Sequence, residues 1–315
     1  DGQTNTRPIV IIAGPTAGGK TSLAITLAQV LPGGGECVSA DSMQVYKGMD
    51  IGTAKPTAQE RAAAAHHMID VASPRDPWTL DDWLQGAEQA IEDIRARDHW
   101  PIVVGGTNLY LQALLHGLMD GPPPDPEQRA AMQAMPEEAL WKKLHTLDPE
   151  AAARIHPNDR RRMIRALEYV CSTGQSLTNA QTQWAQTARE DALMIILDWP
   201  AEMINRRINR RVHQMMDQGF LEEVTSLLAD QALGPQTKTA VGYAQLIDHL
   251  QNQHPLEEAV EQIKIRTRRF GKQQRTWLRR FQALPASRVL SAPEMSTQDL
   301  ANKALAICLD GHHPD

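Results

Sequence analysis

The chain has 315 residues, 38 of them acidic and 32 basic, for a formal net charge of -6. That length suits one large domain or a core carrying an insertion, and the mixed composition excludes a fibre, a disordered chain or a disulfide scaffold. Its three cysteines, Cys37, Cys171 and Cys308, lie far apart with no CxxC spacing, so a reducing compartment is expected.

After Pro8 the β-prone run Ile9–Ala13 leads into the glycine loop GPTAGGKT and then into SLAITLAQVL, whose apolar spacing predicts a helix ended by Pro32 and Gly33. The opening run is far short of the ~20 apolar residues that cross a bilayer and lacks the flanks of a signal peptide, so a soluble cytoplasmic protein is expected. A second strand is predicted at 37–40, a helix at 80–96 and a third strand at 102–104, followed by GGTNLY and a short helix. This alternation predicts an α/β core, a P-loop NTPase-like parallel sheet with covering helices. The prolines between Asp120 and Gln128 remove donors and restrict their neighbours, which reads as a domain junction. Helical patterning then runs to about Thr187 before a β-prone run returns at Ala192–Asp198. An all-helical domain, residues 121–190, is therefore expected as an insertion between core parts 1–120 and 191–315. The rest is mostly helical: to about Asp217, from Gly219 to about Asp230, and a long helix after Pro255. A late edge strand at 288–290 and a helix at 297–307 close the pattern.

The net charge hides an uneven distribution. Sixteen of the 32 basic residues fall in three acid-free windows, residues 160–165, 206–211 and 264–280. Solvated helix faces are the plain reading of any one window, but three together suit a surface that guides a polyanion.

Gly14, Pro15, Thr16, Ala17, Gly18, Gly19, Lys20 and Thr21 fit G-x-x-x-x-G-K-[ST] between a strand and a helix, the context in which that pattern binds phosphate. Loop amides and the helix N-terminus can cradle a di- or triphosphate, Lys20 can reach its end, and Thr21 can ligate Mg²⁺. The strand at 102–104, however, runs into Gly105, Gly106 and Thr107, without the acid that a nucleotide-hydrolysing site places near its metal. The carboxylate at a strand end is Asp41, which by chemistry alone could be a base, a metal orienter or a helix cap.

At this point the sequence resembles the bacterial tRNA dimethylallyltransferases, also called tRNA isopentenyltransferases. The resemblance rests on GPTAGGKT, DSMQVYKGMDIGTAKP, HHMIDV, VGGTNLY, HPNDRRRMIRALEY, GFLEEV, VGY and TRRFGKQQRTW, in family order across residues 8–282. It implies transfer of a dimethylallyl group from dimethylallyl diphosphate to N6 of adenosine 37 in the tRNA anticodon stem-loop, with release of diphosphate. It implies Asp41 as the base, Lys20, Thr21 and Arg207 as catalytic partners around the diphosphate, and Thr21 as a ligand of Mg²⁺. It also implies RNA contacts from Asp41, Ser42, Met43, Gln44 and Thr107, from Arg165, Ala166, Leu167, Glu168 and Tyr169, and from Thr239, Ala240, Val241, Gly242, Tyr243 and Ala244. The long basic helix adds Thr267, Arg268, Arg269, Lys272 and Gln274. Gln44 is expected to read an adenine edge through its amide, whereas Leu167 and Val241 suit core positions better. A monomer is expected.

Two departures stand out. A glycine of the Gly18–Gly19 pair replaces the serine of the usual GPTASGK loop, and Gln273 stands where the family carries arginine in its last motif. A small-molecule kinase, a prenyltransferase of free adenine nucleotides and a non-catalytic RNA-binding module are the rival readings. The basic helix, the Arg160–Tyr169 insertion, and the P-loop with Asp41 argue against them in turn.

Overall fold

The computed structural model describes residues 7–118, 125–178 and 188–310. Parts of the expected junction and inserted domain, residues 119–124 and 179–187, lie outside them. The chain divides into two compact units, residues 1–112 with 190–315, and residues 113–189.

The larger unit is built on six strands: β1 Ile9–Ala13, β2 Gly35–Ala40, β3 His66–His67, β4 Trp100–Gly105, β5 Ala192–Asp198 and β6 Ser287–Ser291. Their order is β3-β2-β4-β1-β5-β6 and every pairing is parallel. Covered on both faces, β1 is apolar and buried at all five positions, which is why it reads IVIIA without polar alternation. Helix α1, Lys20–Val30, buries Leu23, Ala24, Leu27 and Ala28 in one cluster with Leu300, Ala301, Ala304 and Cys308 of the terminal helix, Thr297–Asp310. On α3, Leu80–Ala96, Thr79 and Asp82 form a capping box, and Trp83, Ala87, Ala90, Ile91 and Ile94 make its single buried stripe. The short helices Ala58–Ala63 (α2), Pro235–Lys238 and Tyr243–Leu250 escape sequence patterning because one or two turns give too few periods to detect.

Strand register sets the geometry of the site. Ala13 pairs with Gly105, and Gly105 pairs with Ala40. The next residues, Gly14, Gly106 and Asp41, therefore leave the sheet at one rim, where parallel α/β sheets bind ligands. With strands ~4.8 Å apart, Asp41 starts about 10 Å from the P-loop, two strands across.

Buried Glu36 on β2 ties the other end of the sheet together. It accepts two bonds from Arg97, at 2.9 and 2.8 Å, and contacts His67 and His99 at 2.7 Å each. Bonding from Arg97, helped by the two histidines, holds its carboxyl down at about 2. A depressed carboxylate stabilises the fold above its usual 4.5, and that contribution disappears as pH falls toward 2. Glu36→Gln should thus lower Tm at pH 7, with the gap to wild type closing between about pH 4.5 and 2 in a thermal melt series. A gap independent of pH would contradict this account.

The smaller unit is helical: α4, Asn108–His116, ends in it, followed by α5 Pro126–Ala134, α6 Glu137–Leu147, α7 Pro149–Arg154 and α8 Arg160–Thr173. Pro126, inside the expected junction, opens α5 after the Asp125 cap, where a missing N–H costs nothing. Met132, Leu140, Leu144, Met163, Leu167 and Val170 form the centre of its core. Among the described residues no helix is long and apolar enough to cross a membrane.

Candidate active site

The turn after β1 is tied down by the rest of its unit. Gly19 has φ +85, a left-handed geometry that strains any side chain, and it places Lys20 and Thr21 on the first turn of α1. Ala17 adopts φ +60 despite its side chain, at a cost of ~1 kcal/mol. Its carbonyl accepts from Arg207 Nε at 2.8 Å. Trp199 Nε1 donates to the Gly18 carbonyl at 3.0 Å, and the Arg207 guanidinium lies 4.6 Å over the Trp199 ring. The loop and the start of α1 form one side of a cleft of about 890 Å³.

Across that cleft runs α9, Ala201–Asp217, on which Arg207, Arg210 and Arg211 share a face because they are three and four residues apart. Among the described residues the ion pair of this arginine window is Arg206 with Glu202, leaving the cleft-facing arginines without a carboxylate partner. Lys20 Nζ donates to the Pro15 carbonyl at 2.8 Å. Burial pushes its ammonium down to about 8, the Arg211 charge adds to this, and Asp41 opposes it. Burial also lowers Arg211, again with Asp41 opposing. Asp41 is thus the carboxylate whose field reaches both cations.

Asp41 Oδ1 accepts from the Met43 and Gln44 backbone N–H groups at 2.8 and 3.3 Å, an Asx turn that fixes the carboxylate. Nothing among the described residues donates to Oδ2. Thr107 joins this turn to the β4 rim: its N–H donates to the Ala40 carbonyl at 3.1 Å and its Oγ1 accepts from the Ser42 N–H at 3.0 Å.

Several sequence expectations need correction. The Gln44 amide is not available to read a base edge. Its oxygen accepts from Ser39 Oγ at 3.0 Å, and its nitrogen donates to the Thr53 and Ala54 carbonyls, both at 3.2 Å. Ala166 and Tyr169 join Leu167, which suited the core from the start, in the core of the helical unit, and buried Glu168 takes two bonds from Arg129, at 2.5 and 2.8 Å. In that stretch Arg165 alone presents an exposed side chain. Arg160 caps α5, donating to the Gln133 carbonyl at 2.6 Å, so it is turned inward as well. Tyr243 and Gly242 are buried, whereas Val241, expected in the core, is 41% exposed.

The long helix Leu256–Phe281 has two faces. Ile263, Gly271, Gln274, Leu278 and Phe281 are buried, and Lys264 is buried and paired with Glu261 at 2.5 Å. Arg266, Arg269, Gln273, Thr276 and Arg280 form the exposed stripe, flanked by Lys272 and Arg279. Gln273 sits in mid-stripe, so the missing arginine removes a surface charge and leaves packing untouched. Thr267 bonds back to the Ile263 carbonyl at 2.7 Å, and Arg268 donates to Asn209 at 2.6 Å.

Gln274, expected on RNA, instead braces the P-loop. Its Oε1 accepts from the Thr16 N–H at 2.8 Å, and its Nε2 donates to the Gly106 carbonyl at 2.9 Å. A Cβ at Gly106 would stand 2.3 Å from that amide, so the second glycine of the pair makes room for it. Gln274→Ala leaves buried partners unsatisfied, at roughly 1–3 kcal/mol each. We expect a lower Tm and weaker diphosphate binding, with RNA affinity in a filter-binding assay within about twofold. Loss of RNA affinity at unchanged Tm would restore the surface reading.

Sequence reasoning left Arg210, Trp199, Lys55 and Glu223 without roles. Lys55 and Glu223 lie inside DIGTAKP and GFLEEV, where the motif was visible but its geometry was not. Trp199 carries no local signal at all.

Known proteins resemble this chain over most of its length. A family model described as IPP transferase matches residues 44–281, and one described as isopentenyl transferase matches residues 7–71. A tRNA dimethylallyltransferase of Syntrophobacter fumaroxidans is 46% identical over 281 residues, covering 86% of this chain and 81% of that protein. One from Anaeromyxobacter dehalogenans is 42% identical over 299 residues, covering 94% and 98%. The crystal structure of a Bacillus halodurans tRNA isopentenylpyrophosphate transferase superposes with a TM-score of 0.70 at 36% identity, covering 97% and 98% of the two chains. A eukaryotic dimethylallyltransferase captured acting on tRNA gives 0.82 at 29% identity, covering 96% of this chain and 78% of that one.

Proposed function

The chain belongs to the tRNA dimethylallyltransferase family of prenyl-transferring enzymes, and from that premise we propose that it moves the dimethylallyl group of dimethylallyl diphosphate to N6 of adenosine 37 in tRNA. The observation that carries this reading is the rim itself. The P-loop and three arginines line the cleft together, while Asp41, whose charge acts on both Lys20 and Arg211, leaves the same rim two strands away. Such a site suits a departing diphosphate opposite a base better than phosphoryl transfer.

The exocyclic amine of adenine is a weak nucleophile because its lone pair is conjugated with the ring. As its nitrogen bonds to the allylic carbon, the carbon–oxygen bond breaks and the electron pair leaves with diphosphate. The N6 proton passes to Asp41 Oδ2, the oxygen left open by the Asx turn. Lys20, Arg207, Arg210, Arg211 and the amides opening α1 take up the charge that grows on the leaving group.

Mg²⁺ fits the donor set: Thr21 lines the cleft beside Lys20, and Mg²⁺ ordinarily relies on few protein ligands together with phosphate oxygens and water. Thr21 would hold it, and when bound it would neutralise part of the diphosphate charge. Arg165 on α8 and the stripe from Arg266 to Arg280 would meet the RNA backbone. The enzyme would act as a cytoplasmic monomer.

The test supplies dimethylallyl diphosphate, Mg²⁺ and either tRNA carrying the target adenosine or free AMP, followed by mass spectrometry of the nucleosides. A gain of about 68 Da, the mass of C5H8, on the tRNA adenosine supports the proposal. Gain on AMP alone would favour a nucleotide prenyltransferase, and gain on neither would overturn the reading.

A further inference from the structure

A third part of the cleft lining comes from the segment Asp50 to Thr57, and a side chain outside that segment bonds to its first turn. Glu223 of helix Phe220–Ala229 points its carboxylate into the turn that opens this segment. Its Oε2 accepts from the Asp50 N–H at 2.9 Å and the Ile51 N–H at 2.7 Å, and its Oε1 accepts from the Gly52 N–H at 3.2 Å and Tyr243 Oη at 2.5 Å. Three consecutive amides and a phenol converge on one carboxylate, an arrangement that neutral side chains cannot reproduce with the same strength.

Packing reinforces the clamp. A Cβ at Gly52 would stand 2.2 Å from the Phe220 ring and 2.7 Å from the Tyr243 ring, so the turn lies flush beneath the two aromatics, themselves 5.1 Å apart edge to face. The far end of the segment is held by buried Lys55, whose Nζ bonds to the Tyr46 carbonyl, to Asp50 at 2.7 Å and to Asp70 at 2.5 Å. Between the two anchors, the Thr53 and Ala54 carbonyls receive the Gln44 amide, which follows the Asp41 turn. Asp50, Ile51, Ala54 and Lys55 all line the cleft.

We propose that Glu223 is a positioning residue that holds the Asp50–Thr57 wall of the diphosphate cleft in its binding shape and ties it to Tyr243. The inference rests on the donor-site reading above. Removal of Glu223 leaves three backbone N–H groups of the wall to water, and the wall relaxes away from the donor while the P-loop keeps its own supports.

Steady-state kinetics of the full chain with Glu223→Ala, Glu223→Gln and Tyr243→Phe test this. Glu223→Ala should raise KM for dimethylallyl diphosphate about tenfold, with kcat and KM for tRNA within about threefold. Glu223→Gln, which keeps an acceptor, should recover part of that loss, and Tyr243→Phe should raise the donor KM by less than Glu223→Ala. Should the alanine variant not fold, the other two still decide the question through the donor KM. An unchanged donor KM, or a loss confined to kcat that follows the folded fraction, would overturn the inference. Calorimetric titration of dimethylallyl diphosphate reads the same wall without catalysis. Weakened binding in the variants would therefore support the inference even if the wild type transferred nothing to tRNA, an outcome that would count against the functional reading alone.

Discussion

Asp41→Asn should lower kcat for tRNA prenylation by about 10²- to 10⁴-fold, the range for loss of a general base, while changing Tm little. The asparagine oxygen can still accept from the Met43 and Gln44 N–H groups, so the turn survives and basicity alone is removed. Asp41→Ala should lose a similar factor in rate and also about 1 kcal/mol of stability, because the turn loses its acceptor. Comparison of the two by single-turnover kinetics and thermal melting separates base from cap, two of the three roles that chemistry alone left open. If asparagine kept wild-type turnover while alanine did not, the residue would be a cap.

Lys20→Met should lower turnover by at least about 10²- to 10³-fold and stabilise the protein at neutral pH. Lys20 holds its proton to only about 8 in the fold against 10.5 ordinarily, chiefly because burial disfavours the ammonium. A lysine whose folded value is lowered makes the fold bear a penalty that is fully present below about pH 8, shrinks as pH rises, and is gone above 10.5. At ~1.4 kcal/mol per unit the gain from methionine at pH 7 is on the order of 1–3 kcal/mol, and the gap in melting temperature should close between pH 8 and 10.5. Loss of one charge-stabilising donor typically costs ~10²–10³ in rate, and the methionine loses a full charge as well. A variant that is both inactive and less stable at pH 7 would contradict the desolvated lysine. In the wild type, donor binding restores a partner for the ammonium, so affinity for dimethylallyl diphosphate should weaken above about pH 8 with uptake of a proton.

These two residues were legible because their information is local. A strand, a glycine loop and a helix occur in direct succession around Lys20, and Asp41 follows a strand whose end the parallel sheet must bring to the same rim. The β1, β4 and β2 register then aligns them, as alternation of strand and helix leads one to expect. What escaped was the facing of side chains within matched stretches. Residues 264–280 read as one basic run, yet Lys264, Gly271, Gln274 and Leu278 belong to the buried stripe, and Arg266, Arg269 and Arg280 to the exposed one. A strict helical count separates these faces, but it cannot say that the buried amide meets Thr16 and Gly106, more than 160 positions away. The same holds on α8, where Arg165 faces out and Ala166, Glu168 and Tyr169 face in. Glu223 was hidden for a different reason: a glutamate on a helix is ordinarily a solvated charge, and only the fold delivers three amides and a phenol to it.

The central claim is that this P-loop serves a carbon–oxygen cleavage in which no phosphoryl group moves. The most direct measurement uses dimethylallyl diphosphate carrying carbon-14 in its chain and phosphorus-32 in its diphosphate, with tRNA as acceptor. The account predicts all transferred carbon-14 on the tRNA and all phosphorus-32 in released diphosphate, in equal amounts; phosphorus-32 on the acceptor would contradict it.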